Sequence, residues 1–360
     1  MENGKKKIIT AIVANIIVWS VVIIMITCNG KVPQDTTDTS GVKDEYMHFV
    51  EPTEEQLSNG GLNYYMIVKG YNSSYWDTLI QGAVDAASGY DINLFVAGVA
   101  QESNTERLAK LIEEAISKEP DAIIIAPVDT ARINDLVDVI NEKGIPLIFV
   151  DTILNGQNFD ACYMTDNIQA GQTAAKDMLE KLVATGYKET DSISVGVEIG
   201  SKQSQTVIER LAGVNEYWAN NAPANWKIID SIKVNDASSD IAYEQTIEFM
   251  NENSNLAGLF GLNNGSTVGI CRGVSEKERK DIVIVGFDYS DDIARLIEGG
   301  EYQVSTMVQR QYNMGYGSIN AAYDISCGKE IKSKYINTGI TRVDHDNYNN
   351  TYITQNILRK

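Results

Sequence analysis

Polar and aromatic side chains stand at or just past the ends of several apolar runs in this sequence. Tyr75 and Trp76 are adjacent in the polar segment KGYNSSYWD, residues 69–77. Two large aromatic rings cost free energy when left in water, so they are either buried in a core or held out for a molecule that covers them. Carboxylate and amide side chains occupy further positions of this kind: Asp151, Asn263, Asn264, Asp288 and Gln309.

These side-chain types suit hydrogen bonding to a small polar molecule. Carboxylates accept hydrogen bonds, and amides both donate and accept them. In isolation each residue would more often be a helix N-cap or a turn residue. Their shared placement favours a binding site, because ligands of open α/β sheets sit beyond the carboxyl ends of the strands.

Catalysis has little support in the residues. Glycoside hydrolysis needs two carboxylates across one bond, but no nucleophile–base pair and no phosphate-binding loop accompany the carboxylates here. The sequence has only two histidines, and no CxxC or His-rich spacing suggests a metal. We therefore expect no enzyme activity, no metal and no cofactor. The cysteines at 162, 271 and 327 are expected to be small buried hydrophobes.

Alternating strand and helix patterns position these residues. Eight apolar runs, typical of strands covered on both faces, lie at 65–68, 93–97, 122–126, 146–150, 193–199, 257–262, 282–287 and 303–308. Helical spacing is clear at 104–120 and 129–144, where apolar residues recur every three or four positions. The pattern predicts a doubly wound α/β fold. A chain of 360 residues has room for two such domains.

The N-terminus differs in charge from the rest of the chain. The formal net charge is -19, which argues against binding to nucleic acid or to anionic lipid. Three lysines at 5–7 nevertheless precede the uncharged stretch 8–26, as in an export signal or a membrane anchor. Residues 1–28 resemble a bacterial lipoprotein signal in which Cys28 carries the lipid, and the alternative is an uncleaved membrane helix.

Both alternatives place the rest of the chain outside the cytoplasm, anchored to the outer face of the cell membrane. Residues 29–61 are mostly polar and begin with a stretch rich in Asp and Thr that has no hydrophobic periodicity. We expect this segment to be a flexible tether between the membrane and the folded body.

Six segments together resemble the periplasmic sugar-binding proteins of the ribose- and galactose-binding type, which serve ABC importers. SSYWDTLIQGA (73–83) is similar to the family's first turn, and YMTDNIQAG (163–171) is similar to its first hinge. DAIIIAPVDT (121–130) resembles the family's strand ending in Pro and Asp, and GIPLIFVDT (144–152) resembles its Asp-bearing strand. IVIVGFD (282–288) resembles its Phe-Asp strand, and VSTMVQRQYNMG (304–315) resembles its strand bearing a ligand-contacting Gln.

The resemblance implies two Rossmann-like lobes, with parallel sheets flanked by helices, joined by three crossovers. The first lobe would comprise residues 62–165 and 310–338, and the second residues 166–309 and 339–360. The hinges would lie near Thr165, Gln309 and Thr338.

The resemblance also implies roles for the residues at the strand ends. Tyr75 and Trp76 would form a platform for the apolar C–H face of a sugar ring, and Phe287 would press on it from the other lobe. A ring of hydrogen-bonding groups would surround the sugar: Asp151, Asp288, Asn263 and Gln309.

Several positions differ from the ribose binders of that family. Those proteins carry Arg where this chain has Thr152 and Ile208, so two charge-assisted donors are missing, and Gln205 is the candidate to replace one. Lys69 stands where binders of rhamnose-like sugars and of autoinducer-2 carry Lys. We therefore expect a deoxysugar, a modified sugar or an autoinducer-like diol rather than ribose.

The expected function is capture of such a ligand and its delivery to an ABC permease. The alternative partner is a membrane histidine kinase or chemoreceptor, which would make the protein a sensor. A LacI-like repressor shares the same body but needs a basic helix-turn-helix, and a membrane signal occupies that place here. We expect no nucleic-acid partner.

Overall fold

The structure, a computed structural model, describes residues 46–71 and 74–358, and the side chains from residue 50 onward in the first of these ranges. The proposed signal or anchor and Cys28 lie outside these residues. Among the helices described, none is both long enough and apolar enough to cross a membrane.

Strands and helices alternate along the described residues. The strands are β1 (Tyr46–Val50), β2 (Leu62–Val68), β3 (Ile92–Val99), β4 (Ala122–Ile125), β5 (Leu147–Val150), β6 (Ala161–Met164), β7 (Ile193–Ile199), β8 (Trp226–Ile228), β9 (Lys233–Val234), β10 (Leu256–Gly261), β11 (Val283–Phe287), β12 (Val304–Gln309), β13 (Tyr335–Asn337) and β14 (Ile340–Asp344). The helices are α1 (Glu54–Ser58), α2 (Ser74–Ala87), α3 (Thr105–Ser117), α4 (Ala131–Glu142), α5 (Asn167–Thr185), α6 (Gln205–Asn221), α7 (Ser239–Glu252), α8 (Asn264–Glu276), α9 (Asp291–Gly299), α10 (Gln311–Ser326) and α11 (Thr351–Asn356).

Two sheets organise these elements, and we call each sheet with its helices a lobe. The first sheet has the order β1-β3-β2-β4-β5-β6-β13 and is parallel except at β1. The second has the order β14-β12-β11-β10-β7-β8, with β9 also beside β7, and is parallel except at β14. The predicted α/β fold with Rossmann-like lobes is confirmed.

All eight predicted strands are present, and their central residues are buried because helices cover both faces of each sheet. Separate core clusters lie on the two faces of each sheet. Two of the three described cysteines, Cys162 and Cys271, are buried in these cores as predicted. Cys327 is exposed, because it follows the last residue of α10 and caps that helix at the surface.

Part of the segment expected to be a flexible tether is folded. Strand β1 pairs antiparallel with β3, from Tyr46 opposite Val99 to Val50 opposite Val96. Helix α1 begins at a capping box formed by Thr53 and Gln56. The tether prediction is therefore wrong for residues 46–58, because the edge of the first sheet supplies backbone partners that composition alone does not reveal.

The chain passes between the two sheets at three places: after β6, after β12, and between β13 and β14. These three segments lie side by side. The Thr165 hydroxyl donates to the Gln309 side-chain oxygen at 3.0 Å, and the Thr338 backbone N–H donates to the Met164 carbonyl at 2.8 Å.

Helices α2 and α10 cover one face of the first sheet and cross at glycine. A Cβ atom at Gly82 would lie 2.2 Å from the Tyr312 carbonyl oxygen, and one at Gly315 would lie 1.9 Å from the Leu79 carbonyl oxygen. Both distances are shorter than van der Waals contact, so this close approach requires glycine on both helices. The crossing fixes the beginning of α2, where Tyr75 and Trp76 lie.

Candidate functional site: a buried polar cluster between the two sheets

One aspartate follows a central strand in each lobe. Asp151 follows β5 and Asp288 follows β11, with φ angles of 65° and 68°. This left-handed backbone conformation is uncommon outside glycine, and aspartate is among the side chains that tolerate it best. Both side chains are buried, with 6% and 5% of their surface exposed. The backbone therefore turns sharply at two equivalent strand ends to place a buried carboxyl group there.

In the first lobe, Asp151 is surrounded by hydrogen-bond donors. The Tyr75 hydroxyl donates to Oδ1 at 2.5 Å, and the Thr152 hydroxyl donates to Oδ2 at 2.7 Å. Lys69 Nζ lies 3.1 Å from Oδ2, 2.8 Å from Glu102 Oε1 and 2.6 Å from the Thr152 hydroxyl.

The charges of this group depend on one another. Burial alone would raise the pKa of the Asp151 carboxyl, but Lys69 and the two donating hydroxyls hold it below its usual value. Burial alone would lower the pKa of Lys69, but Glu102 and Asp151 more than offset that effect and raise it. Both side chains are therefore ionised at neutral pH.

The two adjacent aromatics have different environments. Tyr75 belongs to the core cluster of the first lobe and is 6% exposed, so only its hydroxyl reaches the polar group. Trp76 is only partly buried and meets the Tyr75 ring edge-on, with 5.0 Å between ring centroids. Its indole packs over Gly70, where a Cβ would lie 2.5 Å from Nε1. Of the predicted aromatic platform, Trp76 is the ring that keeps exposed surface.

In the second lobe, Asp288 accepts from an amide and from a helix. Gln309 Nε2 donates to Oδ1 at 3.0 Å, and the Asn264 backbone N–H at the beginning of α8 also donates to this carboxyl. The Thr306 hydroxyl fixes the turn by donating to the Asp288 carbonyl at 2.6 Å. Burial raises the pKa of Asp288, and the charge of Arg210, the Gln309 amide and the Asn264 N–H offset only part of this effect.

Arg210 is a buried cation that the sequence analysis missed. The residue is 3% exposed. Its guanidinium donates to Asn167 Oδ1 and to the Leu262 carbonyl, both at 2.9 Å. It also lies over the Phe287 ring, 4.3 Å from the centroid. Helices α5 and α6 approach closely here, since a Cβ at Gly171 would lie 2.0 Å from the Arg210 carbonyl oxygen.

The charged groups of the two lobes face each other. Arg210 of the second lobe lowers the pKa of Asp151 in the first lobe, in addition to the effect of Lys69. The negative charge of Asp151 in turn adds to the rise in the pKa of Asp288. The hydrogen bonds from Thr165 to Gln309 and from Gln309 to Asp288 join the two lobes in the same place, in agreement with a single polar region between the two sheets.

Three sequence-predicted positions differ from expectation in their surroundings. Phe287 is fully buried in the core of the second lobe, and Arg210 covers its ring, so it does not present the free aromatic face that was predicted. Ile208 is 42% exposed, whereas Arg210 two residues later supplies a cation to the region. The inference that both arginine charges are missing is therefore wrong. Gln205 is partly buried, and its amide donates to Glu209 at 2.7 Å.

Asn263 precedes α8, but its side chain does not cap the backbone of that helix. Its Oδ1 instead accepts from the Ser266 hydroxyl, which leaves the amide nitrogen beside Gly200, where an added Cβ would lie 3.0 Å from Nδ2.

Two nearby helix beginnings carry buried polar atoms with no hydrogen-bond partner among the described residues: Asn264 Nδ2 and Gln311 Oε1. Such atoms are costly unless something else satisfies them.

Comparison with known families gives one match that spans most of the chain. Residues 64–330 match the family described as periplasmic binding protein domain. Curated relatives include the D-allose-binding periplasmic protein of Escherichia coli K12, 21% identical over 277 residues that cover 72% of this chain and 83% of the relative. Another is a ribose import binding protein of Haemophilus influenzae, 24% identical over 75% of this chain and 87% of the relative.

Solved structures with the same fold include proteins that hold sugars. A solute-binding protein of an ABC transporter from Agrobacterium vitis, with bound D-fucose, superposes with a TM-score of 0.75 at 25% identity, covering 82% of this chain and 99% of that one. A carbohydrate transporter solute-binding protein from Agrobacterium radiobacter, in complex with D-arabinose, gives 0.77 at 23% identity, with the same coverage.

Proposed function

The chain belongs to the periplasmic binding protein family, and on this premise we propose that it binds a neutral sugar or sugar-like polyol between its two lobes. Members of this family are extracytoplasmic binding proteins and not enzymes. The protein is accordingly a binding protein.

The observation that carries the proposal is the convergence of buried hydrogen-bonding groups from both lobes. Asp151 of the first lobe and Asp288, Gln309 and Arg210 of the second are each at most 6% exposed and are electrostatically coupled across the interface. A polyol offers many hydroxyls, each both donor and acceptor, and so matches a mixed set of carboxylate, amide and guanidinium groups. Trp76 adds the partly exposed aromatic surface that suits a C–H face.

The charges favour a neutral ligand. The region holds two cations, Lys69 and Arg210, and three carboxylates: Asp151, Asp288 and Glu102. Lys69 is already paired with two of these carboxylates, and the Arg210 guanidinium is held by Asn167, the Leu262 carbonyl and the Phe287 ring, so the region carries one more negative charge than positive charges. An anionic ligand would lose its hydration without gaining a counterion.

Binding would involve closure of the two lobes about the three connecting segments near Thr165, Gln309 and Thr338. The lobes would be residues 62–165 with 310–338 and residues 166–309 with 339–360. Closure is expected because residues of both lobes can contact one ligand only when the lobes meet.

The protein would deliver its ligand to an ABC permease while anchored at the outer face of the membrane. The proposed anchor is lipid on Cys28 or the apolar stretch 8–26, supported by three preceding lysines. Mass spectrometry of the N-terminus isolated from membranes separates these possibilities. An intact N-terminus with an unmodified Cys28 would rule out the lipid.

A binding screen tests the ligand class. The full-length chain would be titrated calorimetrically and melted with D-ribose, D-allose, D-fucose, D-arabinose and D-tagatose, with D-glucuronate as the acidic control. A ligand at about 100 times its Kd stabilises the folded state by roughly 2.7 kcal/mol. At least one neutral sugar should bind and D-glucuronate should not. Tighter binding of D-glucuronate than of every neutral sugar would overturn the proposal.

A further inference from the structure

Glu198 is a buried acid that the proposed site does not use directly. It lies on β7 of the second lobe and is fully buried. The Thr246 hydroxyl donates to Oε1 at 2.7 Å, and Asn235 Nδ2 lies 3.5 Å from Oε2. An acid in the middle of a sheet costs free energy unless its contacts compensate it, so its partners are informative.

The hydrogen bonds of Glu198 continue toward the candidate ligand residue Asn263. Asn235 Nδ2 lies 2.9 Å from the Ser266 hydroxyl oxygen, and that hydroxyl lies 2.5 Å from Asn263 Oδ1. Asn235 and Ser266 are both buried, with 1% and 0% of their surface exposed, so bulk water does not compete for these hydrogen bonds.

The direction of each hydrogen bond in this series follows from Glu198, the group at which the series begins. A carboxylate can only accept, so Asn235 must turn its NH₂ group toward Glu198 and Ser266. The Ser266 oxygen then accepts from Asn235, and its single proton goes to Asn263 Oδ1 at 2.5 Å in preference to the more distant Asn235 Oδ1 at 3.2 Å. Asn263 is thereby held with its oxygen inward and its NH₂ group beside Gly200, at the carboxyl end of β7.

We propose that Glu198 is a positioning residue for ligand binding, which orients the Asn263 amide through Asn235 and Ser266 so that its NH₂ group faces the cleft. This proposal rests on the proposed function only in naming the cleft as the place where the amide acts. The hydrogen-bond chain itself exists in the protein without ligand.

Protonation of Glu198 would disturb this order. Burial raises the pKa of Glu198 to about 8, Thr246, Asn235 and Lys233 lower it in part, and Glu248 raises it slightly. The acid therefore changes its charge near pH 8. A protonated carboxyl must donate, which favours Asn235 turning its oxygen toward Glu198 and Ser266. The Asn235 oxygen would then take the position 2.9 Å from the Ser266 oxygen that its nitrogen occupies now, instead of 3.2 Å, and would compete with Asn263 for the Ser266 proton.

A ligand-free measurement tests the coupling. The full-length chain would be labelled with ¹⁵N-asparagine, and the side-chain NH₂ signal of Asn263 would be identified by its loss in Asn263→Ser. This signal should shift with a midpoint near pH 8 and should stop titrating in Glu198→Gln. The control Glu216→Gln removes an exposed acid of the same lobe, which accepts from Gln172, and should titrate like the wild type. An Asn263 signal that ignores pH, or that still titrates in Glu198→Gln, would overturn the proposal.

Sugar affinity gives the second arm. For any sugar of the screen that binds, affinity should fall roughly two- to tenfold from pH 9 to pH 6.5, the worth of one hydrogen bond, and Glu198→Gln should abolish this dependence. Equal pH dependence in wild type and Glu198→Gln would refute the positioning role. If no sugar binds but the Asn263 signal titrates as described, the coupling stands and the proposed function alone fails.

Discussion

Replacement of Lys69 by Met should destabilise the protein without ligand. Lys69 is 3% exposed and touches Asp151, Glu102 and Thr152 within 3.1 Å. Met keeps most of the side-chain volume but removes the charge and all three contacts. The change therefore tests whether the charge of Lys69 supports the buried Asp151 carboxylate.

The magnitude follows from what remains around each carboxylate. The Glu102 side chain is 32% exposed and can regain water, whereas that of Asp151 is 7% exposed and cannot. Removing one partner of a buried pair costs about 3–5 kcal/mol. The Tyr75 and Thr152 hydroxyls still donate to Asp151, so we expect the lower end, about 3 kcal/mol.

The stability difference between the wild type and Lys69→Met should also depend on pH. In the wild type the lowered pKa of Asp151 contributes stability above its unfolded-state pKa of about 3.9, and this contribution is lost as pH falls through the folded value. In Lys69→Met, burial of Asp151 is no longer offset and its pKa rises. The difference in stability between the two proteins should therefore be smaller at pH 4.5 than at pH 7, because the buried carboxyl of the variant takes up a proton in this range.

Urea unfolding of the full-length chain at pH 7 and pH 4.5 measures this difference. The matched control is Lys277→Met, which removes an exposed ion pair with Glu276, 2.9 Å apart, and should leave the free energy of unfolding nearly unchanged at both pH values. The reasoning is refuted if Lys69→Met costs less than about 1 kcal/mol at pH 7. An equal loss at both pH values would also refute it.

Three further predictions concern the cleft, its motion and the fold. Trp76→Ala should weaken sugar binding by roughly 2–4 kcal/mol in calorimetry and leave the ligand-free melting temperature nearly unchanged; the reverse result would place Trp76 in the core. Small-angle scattering should show a smaller radius of gyration at saturating sugar, and an unchanged value would contradict closure. Gly315→Val should destabilise the first lobe by more than about 3 kcal/mol in urea unfolding, because its Cβ would overlap the Leu79 carbonyl. The control Gly328→Val should cost less, because the space around Gly328 is open and only its φ of 74° disfavours a side chain.

The central strands could be predicted because both of their faces are buried. Runs such as 122–126 and 282–287 are apolar throughout, which few other structures require. Two of the strands that the sequence analysis missed, β9 and β13, are two and three residues long and lie at sheet edges. At an edge the pairing is decided by the neighbouring strand, so the local sequence carries little signal.

Site residues could be predicted where a polar side chain directly follows a predicted strand. Those whose position depends on packing between helices could not. Asp151 and Asp288 stand directly after apolar runs, so position alone indicated them. Arg210 lies inside a helix, and its burial follows from the glycine contact between α5 and α6, which involves residues far apart in sequence. The same contact places Arg210 over Phe287 and removes the free ring that the sequence suggested. A basic residue three positions before a helical glycine, Gly213, was the signal available, and it is weak.

The same backbone turn places an aspartate in each lobe, but the surroundings shift the pKa values of the two aspartates in opposite directions. Asp151 has Lys69 beside it and two hydroxyls donating to it, so its charge is already compensated and its pKa is lowered. Asp288 accepts hydrogen bonds from neutral donors, and although the nearby Arg210 charge and these donors lower its pKa in part, burial leaves that pKa raised. A carboxylate that lacks full compensation gains most from further donors, and ligand hydroxyls are such donors. Ligand hydroxyls should therefore stabilise Asp288 more than Asp151, so that ligand recognition depends mainly on the second lobe and Asp151 mainly supports the structure of the first.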